Sequence, residues 1–326
     1  MKSTFLLVLA LLLSASLAKP VAAQSPTVTH NTWTSGASMP KALLAPQVGV
    51  LGNEIYVVGG YSGGPAYTDT QIYNPVTNVW STGVPLPAGT SNGSAAVVKN
   101  ILYVIGGSPD SGPNYSTNAV WAYSPKTKTW TAKAAMPTPR YNLGVVVENN
   151  IIYAIGGIGG LNNGNSVLNT VESYNPATDT WTEESPLLID KEAASVGLVG
   201  TALTGFTIVA ADGYLQSDED SGDNEGYDAA TNTWTSLTSD PEPRSFACAA
   251  RIGTQLYAAG GWDGRGPALS TVESFKLSTQ SWKSLASIPQ GTIAAGSAVY
   301  KGRLYCFGGW ASWGGSSLNS VQIYQP

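Results

Sequence analysis

Histidine is almost missing from this sequence: His30 is the only one in 326 residues. That scarcity excludes much chemistry, because zinc hydrolases and copper oxidases draw ligands from several histidines and a serine triad needs one as its base. No metal site and no cofactor are therefore expected. Cysteine is nearly as scarce, and Cys248 and Cys306 make no framework of the kind that holds small secreted domains together. Charge is sparse and slightly acidic, with 16 basic against 21 acidic residues and a net charge of -5. Without a basic stripe, nucleic acid is an unsuitable partner. One apolar run exists, FLLVLALLL at 5–13, too short for a membrane span. Placed after Met1-Lys2, it reads as a secretory signal over residues 1–23, with cleavage expected before Gln24. The expected product is secreted, to an extracellular or periplasmic space, as a monomer with no membrane span.

What is abundant is repetition. Tyrosine or phenylalanine at 73, 123, 174, 227 and 275 is followed seven residues later by Trp80, Trp130, Trp181, Trp234 and Trp282. Upstream of these, an alternating apolar strand closes on two glycines in IYVVGG (55–60), LYVIGG (102–107), IYAIGG (152–157), LYAAGG (256–261) and LYCFGG (304–309). A sixth copy, FTIVAA at 206–211, has alanines where the doublet is expected. A period near 50 residues, with strand alternation and Asn, Gly and Pro between runs, predicts a four-stranded unit repeated around an axis. The fold class is therefore all-β, a six-bladed β-propeller occupying residues 24–326. Its blades are expected at about 41–83, 88–133, 138–184, 190–237, 242–285 and 290–326, the last completed by 28–36.

That last blade has a tyrosine, Tyr324, but the chain stops before its tryptophan. The segment VTHNTW at 28–33 supplies the missing half: YQP followed by VTHNTW repeats YNPVTNVW nearly residue for residue. The strand containing Trp33 is expected to pair with the C-terminal strand and close the ring, leaving no bare edge. The fixed spacing of Trp33, Trp80, Trp130, Trp181, Trp234 and Trp282 argues for packing between blades rather than an array of sugar sites. Gly59, Gly60, Gly106, Gly107, Gly156, Gly157, Gly260, Gly261, Gly308 and Gly309 are likewise read as structural, since none lies in a strand-to-helix phosphate loop.

Doublet, tyrosine and tryptophan in phase resemble the kelch family of β-propellers from about residue 28 to the C-terminus. Kelch units also have an arginine before the inner strand, matched by Arg140 and Arg244, each 16 residues before the first glycine of its doublet. The same offset falls on Leu43, Thr90 and Thr292, and on Ala193 in the fourth unit if its hairpin holds one extra residue. The resemblance implies that ligands meet the face where the arginine and the residue after the doublet emerge.

On that face the sequence places Tyr61, Arg140, Tyr141, Asp212, Arg244, Ser245, Trp262 and Trp310 as candidate ligand-binding residues, with Trp313 beside them. Aromatic residues next to charged groups suit a glycan or an extended peptide. The preferred reading is a binding module, with a glycan or a protein ligand as partner. The alternative is a cofactor-independent carbohydrate-active enzyme: exported kelch propellers include sialic acid mutarotases, and Glu192 or Asp212 would act as base while the arginines hold a carboxylate. The SxDxGxxTW turn of sialidases is absent. Cys248 and Cys306 fall on adjacent sheets, where they form a disulfide if their Cα atoms lie within about 7 Å and remain buried thiols otherwise. SDEDSGDNE (217–225) is read as a solvated acidic loop rather than a calcium loop, and Asn92 and Asn114 begin glycosylation sequons.

Overall fold

The structure, a computed structural model, describes residues 30–109, 115–159, 165–201 and 205–326. The expected signal segment, residues 1–23, and Asn114 lie outside them. Six four-stranded antiparallel sheets make up the fold, beginning with Gln47–Leu51, Glu54–Val58, Thr70–Asn74 and Val79–Thr82. No α-helix occurs among the described residues; Leu277–Thr279 forms a 3-10 turn. The first strand of each sheet lines a central channel and touches the first strands of both neighbouring blades. Small residues permit that approach: Gly144 faces Val196 of the next blade so closely that a Cβ would overlap it.

The core is distributed between blades. Ile55 and Tyr73 of the first blade, for instance, pack with Tyr305 and Phe307 of the sixth. Each repeat tryptophan lies against its tyrosine or phenylalanine partner, with centroids 4.9 Å apart for Tyr73 and Trp80. Trp234 alone of the six is buried and the others are half-buried, and all six reach back to the preceding blade. Trp80 donates its indole N–H to Ala37 O, Trp181 to Ala134 O and Trp234 to Ser185 O, at 2.8 to 2.9 Å.

The ring closes as the sequence predicts. Thr32–Ser35 pairs with Val321–Gln325, Trp33 opposite Tyr324, and Trp33 Nε1 donates to Ala286 O of the fifth blade at 2.8 Å. Even the turn chemistry is split between the termini. Asn31 accepts from Tyr324 Oη at 2.8 Å, as Asn78 accepts from Tyr73 at 2.6 Å. Cys248 and Cys306 form a disulfide between the fifth and sixth blades, their Cα atoms 5.9 Å apart.

The fourth blade departs from the sequence reading. Ser195 pairs with Ala211 as Gly144 pairs with Ile155, so the doublet position belongs to Asp212 and Gly213 rather than to Ala210 and Ala211. Both have positive φ, 62° and 115°, like the glycine pairs elsewhere; aspartate is one of the few residues that tolerate this region. The arginine equivalent also moves. Gly157 N donates to Lys191 O at 2.9 Å as Gly107 N does to Arg140 O, so Lys191, not Ala193, occupies that place. Lys191 precedes Asp212 by 21 residues (191 to 212), whereas Arg140 precedes Gly156 by 16. The extra length is in a hairpin of two seven-residue strands, Ser195–Thr201 and Gly205–Ala211.

Candidate functional site

At the doublet, the chain turns out of the sheet and the first glycine's carbonyl loses its place in the ladder. A buried carbonyl needs a donor, and the arginine position supplies one from the same blade. Thr90 Oγ1 donates to Gly106 O at 3.0 Å and Thr292 Oγ1 to Gly308 O at 2.8 Å. Arg140 does the same for Gly156 at 3.1 Å, then bonds Thr170 O at 2.6 Å, Ala154 O at 3.0 Å and the Glu172 carboxylate at 2.9 Å. Arg244 bonds Gly260 O and Thr271 O and pairs with Glu273 and Asp240. Both arginines have no solvent exposure. Their assignment to ligand binding is therefore corrected: each is spent on carbonyls and carboxylates inside its own blade. Lys191 is equally buried, with Nζ on Glu225 at 3.2 Å and Asp223 O at 3.1 Å. Glu225 is thus an internal counter-ion and not part of a solvated loop.

Asp212 and Ser245 are also fully buried, which removes them from the ligand-binding set and removes Asp212 as an alternative base. Asp212 lies against Asp240 and Arg244, and burial, then the Asp240 charge, pushes its carboxyl well above the usual range. The sign follows from linkage: a folded pKa raised above the unfolded value of about 3.9 makes the fold bind the proton more tightly. Stability is then lost as pH rises from the unfolded value toward the folded one. Asp212→Asn keeps a residue suited to positive φ and mimics the protonated acid. It should leave the melting temperature near wild type at pH 4 and raise it progressively toward pH 8; a variant less stable than wild type at pH 8 would contradict this.

The residues that do face the channel mouth form a cavity of 540 Å³. Tyr61, Tyr141, Glu192, Trp262 and Trp310 of the predicted ring line it, with Leu44, Ser108, Ile158 and Ile293 between them. Trp262 and Trp313 stack at 4.5 Å, Trp310 meets Trp313 edge-on at 5.9 Å, and Tyr61 meets Trp310 edge-on at 6.3 Å. Trp313 is the rim, 52% exposed.

Two further parts were not legible in the sequence. Tyr214 lines the cavity as the residue after the true doublet of the fourth blade; the Asp-Gly pair at the strand end was the signal for it. The floor is a collar built from one residue per blade, Ala45, Asn92, Asn142, Ala193, Phe246 and Ala294, all at φ between 49° and 57°. Each donates its backbone N–H to the carbonyl of the one before it, and Ala45 to Ala294, closing a hydrogen-bonded ring at 2.6 to 3.1 Å. The collar lies between cavity and channel, with Asn92, Asn142, Phe246 and Ala294 lining both. Asn92, which begins a sequon, lies in it, and its Nδ2 donates to Ser91 Oγ at 3.2 Å.

Glu192 is the one carboxylate among the lining residues, which include no lysine or arginine. It is 6% exposed and accepts from Asn142 Nδ2 at 2.6 Å. Burial pushes its carboxyl up to about 7, with Asp220 adding to the rise and the Asn142 hydrogen bond opposing it. Burial and the Glu192 charge raise the Tyr141 hydroxyl to about 12. Asp220, close to the loop of Asp263, is held at about 6 by burial and then by that neighbour's charge. The mouth thus combines aromatic rings with carboxylates. No cluster of three or more His, Cys, Asp or Glu that could hold a metal ion occurs among the described residues.

Residues 22–157 match a kelch-repeats domain described for KLHDC2, KLHL20 and DRC7, and residues 139–188, 243–289 and 293–326 match the kelch motif. The chain is therefore built of kelch repeats. The longest stretch these matches leave out, 189–242, contains the blade whose doublet is Asp212-Gly213. No curated protein sequence matches. The solved structure of YjhT is similar at a TM-score of 0.74, covering 88% of this chain and 96% of that one at 18% identity; at that identity the likeness is one of fold.

Proposed function

We propose that this six-bladed kelch-repeat propeller is an exported recognition module that holds its ligand, a glycan or an extended peptide, in the cavity at the channel mouth. One observation carries the reading: a 540 Å³ space, within the range of ligand sites, is walled by aromatic rings and floored by a rigid backbone collar. Rings supply large contact area at low entropic cost, and a collar of main-chain hydrogen bonds keeps the floor fixed. Export is supported by residues 1–23 and by the disulfide, which persists in oxidising compartments.

The expected behaviour is quenching or a blue shift of tryptophan fluorescence on binding, with the ligand recovered unchanged. Trp310→Ala should weaken affinity at least tenfold, about 1.4 kcal/mol, with little change in melting temperature. Unaltered affinity in this variant would place the ligand elsewhere.

A second reading rests on Glu192, whose carboxyl near 7 suits a general acid or base. It would make the site a cofactor-independent sugar isomerase or mutarotase acting on a neutral sugar. An acidic sugar is a poor fit, since Arg140 and Arg244, the groups meant for its carboxylate, are internal. Glu192→Gln would then abolish turnover and spare binding.

A further inference from the structure

The buried cations behind this mouth are each paired inside a blade, Arg140 with Glu172, Lys191 with Glu225 and Arg244 with Glu273, and Arg265 stands exposed on the outer loop after Trp262. Negative charge, by contrast, is left over. Glu192 lies in the cavity wall with an amide rather than a cation as its partner, Asp263 is close enough to raise the Asp220 carboxyl, and Asp220 close enough to raise that of Glu192. The indoles of Trp262, Trp310 and Trp313 and the ring of Tyr61 line the same cavity as Glu192, and Trp262 adjoins Asp263 in the chain. Aromatic faces with a nearby carboxylate are the arrangement that attracts an organic cation, most strongly when it is desolvated.

Resting on the mouth cavity as a recognition site, we infer that it takes the ammonium group of a lysine carried by an extended, basic peptide, with Glu192 as counter-ion and the tryptophans as its cage. Lysine suits the shape because its methylene stem packs on apolar walls while the head seeks charge. Asp218 and Glu219, exposed on the neighbouring turn, extend the acidic surface beyond the cavity, which favours a peptide with several positive charges over an isolated small cation. A buried carboxylate held up to about 7 by desolvation also has much to gain from a cation.

The test titrates acetyl-Ala-Ala-Lys-Ala-Ala-amide into the disulfide-intact protein, following tryptophan fluorescence, beside the same peptide with norleucine or acetyl-lysine at the centre. The lysine peptide should bind at least tenfold tighter than either neutral one. Glu192→Gln should erase that ratio by bringing the lysine peptide down to the norleucine level, and Trp262→Leu, which keeps apolar volume and removes the ring, should reduce it. Equal affinity for lysine and norleucine peptides, or a ratio that survives Glu192→Gln, overturns the inference. Tetramethylammonium chloride binding as tightly as the lysine peptide overturns the peptide part and leaves a site for small free cations. Neutral sugars that quench where the peptides do not sink the cation and spare the recognition site; no response to any probe sinks both.

Discussion

Replacing Arg140 with alanine should cost about 3–5 kcal/mol of folding stability, the range for breaking a buried ion pair by removing one partner. The reason is the number of groups left behind. Glu172 would be an unpaired carboxylate in a site where it is 3% exposed, and the carbonyls of Gly156, Thr170 and Ala154 would lose the donors that reach them at 3.1, 2.6 and 3.0 Å. Arg140→Ala with Glu172→Ala together should cost less than Arg140→Ala alone, because the stranded charge goes too. Urea unfolding of the single and double variants measures both. The outcome also separates two roles for kelch arginines. If Arg140→Ala abolishes ligand binding at a temperature where the variant is still folded, the side chain acts on ligand after all.

The second large effect concerns closure. A chain starting at residue 37, lacking Thr32–Ser35, should lose its cooperative thermal transition and aggregate. It would expose the whole backbone edge of Val321–Gln325, which now pairs with that strand residue by residue, and exposed flat edges recruit other chains. The Trp33 indole bond to Ala286 and the Asn31 contacts with Tyr324 and Ala286 N would go as well. A synthetic peptide spanning residues 28–36 should restore solubility and the transition, whereas the same peptide with Trp33 replaced by alanine should restore much less. A truncated chain that melts like the full one would show that packing between blades holds the ring unaided.

Where a residue's role follows from the phased repeat, the sequence determined it. Six phased copies fixed the architecture, and the half-motifs at 28–33 and 321–326 fixed how the ring closes, because a four-stranded sheet must obtain its outer strand from somewhere. Asp212-Gly213 shows where periodicity fails: apolar FTIVAA imitates the spacing of the other strands, and only pairing register, Ser195 opposite Ala211, reveals a longer hairpin. Tyr214 and Lys191 were lost with that register. The candidate site divides in the same way. Tyr61, Trp262 and Trp310 were legible because the residue after each doublet must emerge at the mouth. Tertiary structure alone decided that Arg140 and Arg244 turn inward, since the carbonyls they satisfy come from strands some 14 to 30 residues away. It also decided the collar. Six left-handed residues as different as alanine, asparagine and phenylalanine share no side-chain pattern, and their common role is a backbone hydrogen bond that exists only when six blades meet around one axis.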